Sequence, residues 1–166
     1  MNSKIQNKKI AIIGAGMSGV TAAKELAKLN EVTVFDKSRG IGGRMATRRV
    51  DNYHFDHGAQ FFNAKSEEFK DLCQKVKSDS IIEEWNCNFA EITENKINKK
   101  WQFGNEKAHF VAKPQMNNLC KYIAKDLNIL LGTQIKSINF ENKKWSLKTI
   151  ERSEEHTSEL QSQFRI

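Results

Sequence analysis

Residues 8–49 read KKIAIIGAGMSGVTAAKELAKLNEVTVFDKSRGIGGRMATRR, and this stretch decides the fold. The apolar run from Lys8 to Ile13 predicts a strand buried on both faces, and the segment from Met17 to Leu29 predicts a helix. A second predicted strand follows from Val32 to Phe35. Strand, glycine turn, helix and strand in this order predict an α/β fold of the Rossmann-like kind, which binds a dinucleotide.

The glycine turn after the first strand has the spacing GxGxxG, formed by Gly14, Gly16 and Gly19. Gly14 permits the tight turn, Gly16 lets the backbone approach a diphosphate, and Gly19 lets helix and strand pack closely. The helix that follows directs its free N–H groups and the positive end of its dipole at the phosphates. Asp36 ends the second strand, 22 residues after Gly14, where a carboxylate accepts hydrogen bonds from ribose hydroxyls and disfavours the 2′-phosphate of NADP.

Arginine is concentrated in one part of the sequence. Four of the six arginines lie between Arg39 and Arg49, whereas 21 lysines are spread along the sequence and account for most of the net charge of +7. Scattered lysines favour a solvated surface over a nucleic-acid interface. Arginines beside a second glycine turn, Gly40 to Gly43, predict bidentate contacts to a diphosphate. Two alternatives stay open: an NAD-binding dehydrogenase or reductase module, and a basic nucleic-acid-binding protein.

The motifs GAGMSG, VFDKSRGIGGRMATRR and FDHGAQFF together resemble the amine-oxidase-like flavoprotein superfamily, and most closely its bacterial renalase-like branch. The resemblance implies a glutathione-reductase-like, three-layer FAD/NAD(P)-binding domain with FAD as cofactor. It also implies a flavin that accepts hydride from an amine-like or dihydronicotinamide-type substrate and passes electrons to O₂. The implied cofactor-binding residues are Gly14, Ala15, Gly16, Met17, Ser18, Gly19, Asp36, Lys37, Arg39, Gly43, Arg44, Thr47, Ala59, Gln60, Phe61 and Ile135.

The resemblance also implies separate roles within this set. Arg39 and Arg44 would contact phosphate or ribityl oxygens, and Thr47 would lie near the ribityl group. Gln60 and Phe61 would lie beside the isoalloxazine, where small neighbouring residues allow close approach of a flat ring. The backbone at Ile135 would contact the adenine.

Other polar residues receive a structural interpretation. We expect His57 to be a strand-end histidine with a local hydrogen bond, and Arg48 and Arg49 are open between surface charge and function. The three cysteines are widely spaced and form no CxxC, and no carboxylate/histidine ligand pattern accompanies His54 and His57, so no metal site is predicted. No residue is predicted to be catalytic.

Further along the sequence, residues 66–78 predict a helix with Ser66 as its N-cap, and residues 81–111 predict short strands of a second domain. A helix is predicted from Pro114 to Leu127, with Gln115 where the resembling family favours glycine. Strands are then predicted over residues 129–131, 134–140 and 145–149, with a turn at Asn142 and Lys143.

Residues 152–162 read RSEEHTSELQS, which resembles the translation of a sequencing adapter. We therefore expect residues 152–166 to be a non-native tail and the chain to be a truncated piece of an enzyme, which alone folds poorly, retains no FAD and is inactive. The predicted domains are an incomplete FAD-binding domain, residues 1–50 with 114–151, and the start of a sheet-based substrate domain, residues 51–113. No apolar run has the length of a signal sequence or membrane span, and unpaired cysteines fit the cytoplasm. A small-molecule substrate is the expected partner, with no nucleic acid and no membrane.

Overall fold

The computed structural model describes residues 5–102, 108–150 and, for the backbone alone, 162–165. These residues divide into two compact units. The first unit comprises the described residues up to Ala46 and from Cys120 onward, and the second comprises Thr47–Leu119. The domain limits predicted from the sequence, at residues 50 and 114, differ from these by a few residues and stay a prediction.

The described residues form thirteen strands and three α-helices. The strands are β1 (Lys9–Ile13), β2 (Glu31–Phe35), β3 (Thr47–Val50), β4 (Tyr53–Asp56), β5 (Phe62–Asn63), β6 (Ile82–Glu84), β7 (Asn88–Thr93), β8 (Lys96–Gln102), β9 (His109–Ala112), β10 (Asn128–Leu130), β11 (Gln134–Glu141), β12 (Lys144–Ile150) and β13 (Ser162–Arg165). The helices are α1 (Met17–Leu26), α2 (Glu67–Ser78) and α3 (Asn118–Ile123).

The first unit is built on a parallel sheet in the order β1-β2-β10. Helix α1 connects β1 to β2, as a crossover between parallel strands requires. Val20 and Ala23 of α1 are fully buried, as the apolar spacing of the helix predicts. The helix ends three residues before the predicted Leu29, and the strand–turn–helix–strand order of the prediction is confirmed.

Strand β1 differs from its prediction. Ile13 is 53% exposed, so the expectation of a strand buried on both faces is wrong. The sheet order places β1 at an edge of the described sheet, with β2 as its hydrogen-bonded neighbour. A parallel strand is buried on both faces when other layers cover it, and this apolar sequence has more hydrophobic surface than the described residues cover.

An antiparallel hairpin of β11 and β12 completes the described core of the first unit. Leu147 of β12 packs with Phe35 of β2 in a buried cluster, which Ile135 and Trp145 also contact. Asn142 and Lys143 both have positive φ, 53° and 61°, as a two-residue hairpin turn requires, so the predicted turn is confirmed. Strand β13, in the segment that we expect to be non-native, pairs with β12 through its backbone.

The second unit contains two hairpins and a three-stranded sheet. The hairpins are β3-β4 and β7-β8, and the sheet has the order β5-β9-β6. The short strands predicted over residues 81–111 are confirmed as β6 to β9, whereas β3 and β5 were not predicted. Helix α2 begins as predicted, because the Ser66 hydroxyl accepts a hydrogen bond from the N–H of Phe69 at 3.3 Å. Its buried residues are Cys73 and Val76.

The helix predicted from Pro114 to Leu127 is wrong in extent, since α3 covers only Asn118–Ile123. A turn comes first, closed by a hydrogen bond from the N–H of Asn118 to the C=O of Gln115 at 3.0 Å. At the other end, Asp126 has a φ of 68°, which a right-handed helix does not contain. Among the described residues, every helix is too short or too polar to cross a lipid bilayer.

Candidate functional site

Two glycine turns contact each other in the first unit. Gly14 has a φ of 106°, and its N–H donates to the C=O of Phe35 at 2.7 Å, which ties the first turn to the end of β2. The N–H of Gly42 donates to the C=O of Ala15 at 3.0 Å, and Gly16 pairs with Gly42 in a parallel bridge. The second turn is therefore held against the first by backbone hydrogen bonding. The second turn was predicted from the sequence, but this pairing was not.

The packing of these turns leaves no room for a side chain at Gly19 and little room at Gly43. A Cβ added at Gly19 would lie 1.9 Å from the carbonyl oxygen of Gly14, which agrees with the close packing predicted for Gly19. A Cβ added at Gly43, where φ is 54°, would lie 3.1 Å from the Cα of Gly16. The glycines thus form a cradle in which two stretches of backbone meet without side chains between them. The approach of a diphosphate to Gly16 stays a prediction.

The N-terminus of α1 opens at this cradle. Its N-cap residue, Gly16, has no side chain to cap the helix, and the first turn contains no acidic residue. The first amides of a helix have no partner within the helix, so those near Ser18, which is exposed, are available to an anion. Ala15 is fully buried, and the half-buried Met17 accepts a hydrogen bond at sulfur from the Thr21 hydroxyl at 3.8 Å.

Asp36 links the first glycine turn to the end of β2. Its Oδ2 accepts a hydrogen bond from the N–H of Ala15 at 2.6 Å, and its Oδ1 accepts one from the N–H of Ser38 at 2.7 Å. Two carboxylate oxygens can accept about four hydrogen bonds in total, so acceptor capacity remains for ribose hydroxyls. The carboxylate therefore has a structural role in the described residues, and its binding of ribose stays a prediction.

The segment that joins β10 to β11 lies beside Asp36. The N–H of Thr133 donates to the C=O of Asp36 at 2.8 Å, and the N–H of Asp36 donates to the C=O of Leu130 at 3.0 Å. Ile135, at the start of β11, is half-buried against Phe35. Ile135 therefore lies near Asp36 in the first unit. It was selected from the order of the predicted strands, without a distinctive motif.

Three basic side chains of the predicted site, Lys37, Arg39 and Arg44, are exposed. None of the three makes an ion pair with any residue that the structure describes. A guanidinium group has five N–H donors arranged for phosphate or carboxylate oxygens. Arg39 and Arg44 thus flank Gly42 and Gly43 with their donors free for an anionic ligand.

Four predicted site residues lie in the second unit, and two of them contact Asp56. The Thr47 hydroxyl donates to the Oδ1 of Asp56 at 2.5 Å, and the Nε2 of Gln60 donates to the backbone carbonyl oxygen of Asp56 at 2.5 Å. Ala59, which precedes Gln60, is half-buried. The structure thus gathers Thr47 and Gln60 around a residue that was not selected from the sequence.

Phe61 belongs to an aromatic cluster in the same unit. Its ring centroid lies 5.3 Å from that of Trp85 and 4.7 Å from that of His109, the latter in an edge-on arrangement. Aromatic pairs at these distances stabilise a fixed ring position. Contact between Phe61 and a flavin stays a prediction, while its packing role is observed.

Two residues that matter to the site were missed, and one expectation was wrong. Gly42 could have been selected from the glycine pair, whereas Asp56 carried only the weak signal of an acid at a strand end. His57 is exposed and forms no hydrogen bond with any described residue, so the expected local bond is absent. Among the described residues, no three His, Cys, Asp or Glu side chains lie close enough together to hold a metal ion.

The chain is similar to known proteins in its N-terminal part. A family model described as an NAD(P)-binding Rossmann-like domain matches residues 12–76, which contain both glycine turns and Asp36. The 4,4'-diapophytoene desaturase (4,4'-diaponeurosporene-forming) of Staphylococcus aureus strain Newman is 47% identical over 51 residues, which cover 30% of this chain and 10% of the desaturase. The protein of strain USA300 gives the same figures. The match therefore spans about a tenth of the length of these relatives.

A solved structure extends the comparison to nearly the whole chain. The 2,6-dihydroxypyridine-3-hydroxylase from Arthrobacter nicotinovorans matches with a TM-score of 0.57 and 12% sequence identity, over 96% of this chain and 36% of the hydroxylase. At this identity the match shows the fold. The predicted Rossmann-like α/β fold is therefore confirmed.

Proposed function

We propose that this chain is the N-terminal part of an FAD-dependent oxidoreductase. The observation that carries the proposal is the pairing of Gly16 with Gly42, which joins a second glycine turn to the GxGxxG turn. A nicotinamide dinucleotide site requires the first turn and the ribose carboxylate alone. The second turn adds Arg39 and Arg44, whose N–H donors are free to bind the diphosphate or the ribityl oxygens of FAD. Similarity to a desaturase and to a hydroxylase, both redox enzymes by name, supports the proposal.

The residues present fit FAD in charge and shape. The glycine cradle has no Cβ to block a diphosphate, the α1 amides are uncapped, and Asp36 retains acceptor capacity for the ribose. Ile135 would contact the adenine. A bound flavin supplies the hydride-accepting chemistry, and the protein binds and orients it and excludes water. No residue of the chain is assigned as catalytic.

The finer assignment follows the resemblance to the renalase-like branch. The substrate would be a small amine-like or dihydronicotinamide-type hydride donor, with O₂ as the final acceptor and a cytoplasmic location. The motif DKSRGIGGRMATRR with FDHGAQFF supports this assignment. The alternative, an NAD-binding dehydrogenase or reductase module, is favoured by the description of the matching family model.

The decisive experiment recovers the gene from clean genomic DNA, reads it past codon 151 and expresses the uninterrupted product. Denaturation of the purified protein should release FAD, identified by its mass and the visible absorption of oxidised flavin, in a ratio of about one per polypeptide. Release of NAD or NADP without flavin would favour the alternative, and release of neither would contradict both.

Two further measurements separate the parts of the proposal. The 166-residue chain, purified by gel filtration in the presence of FAD, should emerge colourless; a stoichiometric yellow protein would contradict the expectation that it lacks part of the site. Under anaerobic conditions, isomeric dihydronicotinamides and amines should be compared for bleaching of the flavin in the uninterrupted product. Bleaching by neither class would contradict the substrate assignment and leave the cofactor assignment intact.

A further inference from the structure

Asp56, the last residue of β4, connects three segments of the second unit. Its Oδ1 accepts a hydrogen bond from the Thr47 hydroxyl at 2.5 Å, across the β3-β4 pairing in which Thr47 and Asp56 are partners. The backbone N–H of Met116 donates to both carboxylate oxygens, at 3.2 Å each. The backbone carbonyl of Asp56 accepts from the Nε2 of Gln60 at 2.5 Å.

The turn that donates to Asp56 is buried. Gln115, Met116 and Asn117 are 8%, 1% and 6% exposed, and α3 begins only at Asn118. A buried backbone N–H requires an acceptor, and the carboxylate of Asp56 supplies it for Met116. The side chain of Asp56 thus fixes a buried turn at the point where a helix was predicted and is not formed.

A carboxylate suits these contacts better than an amide. The Thr47 hydroxyl and the Met116 N–H are both donors, and together they use both carboxylate oxygens. An asparagine at position 56 would offer one acceptor oxygen and would point an NH₂ group at one of the two donors. The substitution Asp56→Asn therefore preserves the shape of the side chain and removes one of its accepted hydrogen bonds.

The segment that follows Asp56 is held at both ends. At its start, Asp56 bonds to Thr47 and Met116. At its end, the Nε2 of Gln60 donates to the carbonyl of Asp56, and the ring of the next residue, Phe61, packs on Trp85 and His109. Between Asp56 and these anchors lie Gly58 and Ala59. The course of the backbone through them is therefore restrained at Asp56 as well as at Gln60 and Phe61.

We infer that Asp56 is a positioning residue, which sets the path of residues 58–61 beside the flavin by holding Thr47 and the buried turn 115–117. The inference rests on the proposed function, because the flavin is the ligand of that segment. It predicts that the carboxylate of Asp56 affects flavin binding without touching the cofactor.

The test uses the uninterrupted gene product with Asp56→Asn, Thr47→Val and Thr47→Ser. The control is Asp71→Asn, which alters an exposed carboxylate on α2. The exchange rate of the Met116 amide is measured in the apoprotein, and the Kd for FAD and the visible spectrum of the bound flavin are measured by titration. Asp56→Asn should accelerate the Met116 exchange and raise the Kd about tenfold, with shifted flavin bands. Thr47→Val should shift the bands in the same direction, Thr47→Ser should restore them, and Asp71→Asn should match the wild type.

Each remaining outcome overturns the inference in a distinguishable way. Faster Met116 exchange with an unchanged flavin spectrum and Kd would limit Asp56 to a role in folding. Unchanged exchange would show that the contact is not maintained in solution. If Asp56→Asn does not fold, a wild-type flavin spectrum and a wild-type Kd for FAD in Thr47→Val would be sufficient to overturn the inference. A wild-type protein that binds no FAD would refute the proposed function, and the Met116 exchange would still report whether the contact exists.

Discussion

The paired glycine turns of the first unit and the β7-β8 hairpin of the second are stabilised in opposite ways. In the glycine turns, backbone atoms contact backbone atoms, and a Cβ at Gly19 would collide with the carbonyl oxygen of Gly14. In the hairpin, every residue of β8 is exposed, and pairs of side chains such as Phe89 stacked on Trp101 at 5.6 Å supply the contacts. A substitution should therefore be costly in the turns and inexpensive in the hairpin.

The largest expected effect is that of Gly19→Ala. The new methyl group would meet the carbonyl oxygen of Gly14, which cannot move without breaking the turn, so the free energy of unfolding should fall by about 3 kcal/mol or more. Denaturant titration measures the change. The control is Gly40→Ala, because a Cβ at Gly40 meets nothing within 4 Å. Equal effects of the two alanines would contradict the close packing of the cradle.

Asp36→Ala should have the next largest effect. The substitution leaves the N–H of the fully buried Ala15 without its acceptor, which should lower the free energy of unfolding by about 2 kcal/mol. Asp71→Ala, which removes an exposed carboxylate, serves as the control in the same denaturation experiment. If Asp36→Ala lowers the free energy of unfolding no more than Asp71→Ala does, Asp36 does not stabilise the first glycine turn.

A pH effect follows from Cys120, which is fully buried and contacts the Sδ of Met45 at 3.9 Å, just after the second glycine turn. Burial raises the pKa of its thiol from 9.0 to about 11. The thiol therefore loses its proton at lower pH in the unfolded protein than in the folded protein. As a result, the contribution of Cys120 to the free energy of unfolding is complete below pH 9 and declines as the pH rises towards 11.

Ionisation of Cys120 in the unfolded protein should lower the free energy of unfolding by about 1 kcal/mol by about pH 10. The measurement is the difference in unfolding free energy between wild type and Cys120→Ala at about pH 8 and about pH 10. The variant should be less stable at both values but should lose less on the change to the higher pH. Cys73, whose thiol pKa burial also raises, is present in both proteins and cancels in the difference. Parallel losses in the two proteins would contradict the prediction.

The smallest effect is expected in the hairpin. The Nζ of Lys99 lies 5.8 Å from the ring centre of Trp101, an exposed cation–π contact, so Lys99→Gln should cost about 0.5 kcal/mol or less. Lys100→Gln on the same strand has no such ring contact within the described residues and serves as the control. A loss from Lys99→Gln as large as that from Gly19→Ala would remove the contrast between the two regions.

The sequence was most informative where the local geometry limits the choice of residue. Gly14, Gly19 and the turn at Asn142 and Lys143 were predicted because positive φ and close packing limit the choice of residue. The start of α2 was predicted for a similar reason, since Ser66 supplies a specific acceptor. Local chemistry was sufficient in each case.

The failures concern contacts between segments distant in sequence. The helix predicted from Pro114 begins only at Asn118, and the N–H of Met116 in the preceding turn bonds to Asp56, sixty residues earlier. No local pattern indicates such a partner. Gly42 likewise acquired its role through a contact with Gly16. In β1, the apolar sequence predicted burial that depends on which other segments cover it.

The bridge between Gly16 and Gly42 also has a consequence for the order of folding. It closes a loop that contains the whole of α1 and β2, and closing such a loop costs more chain entropy than forming the local contacts of the helix, so we expect this contact to form after α1. Protection of the Gly42 amide from exchange should thus report a late step in the folding of the first unit. In pulse-labelling experiments it should become protected after the amides of α1, and its protection time would mark when the first unit is complete.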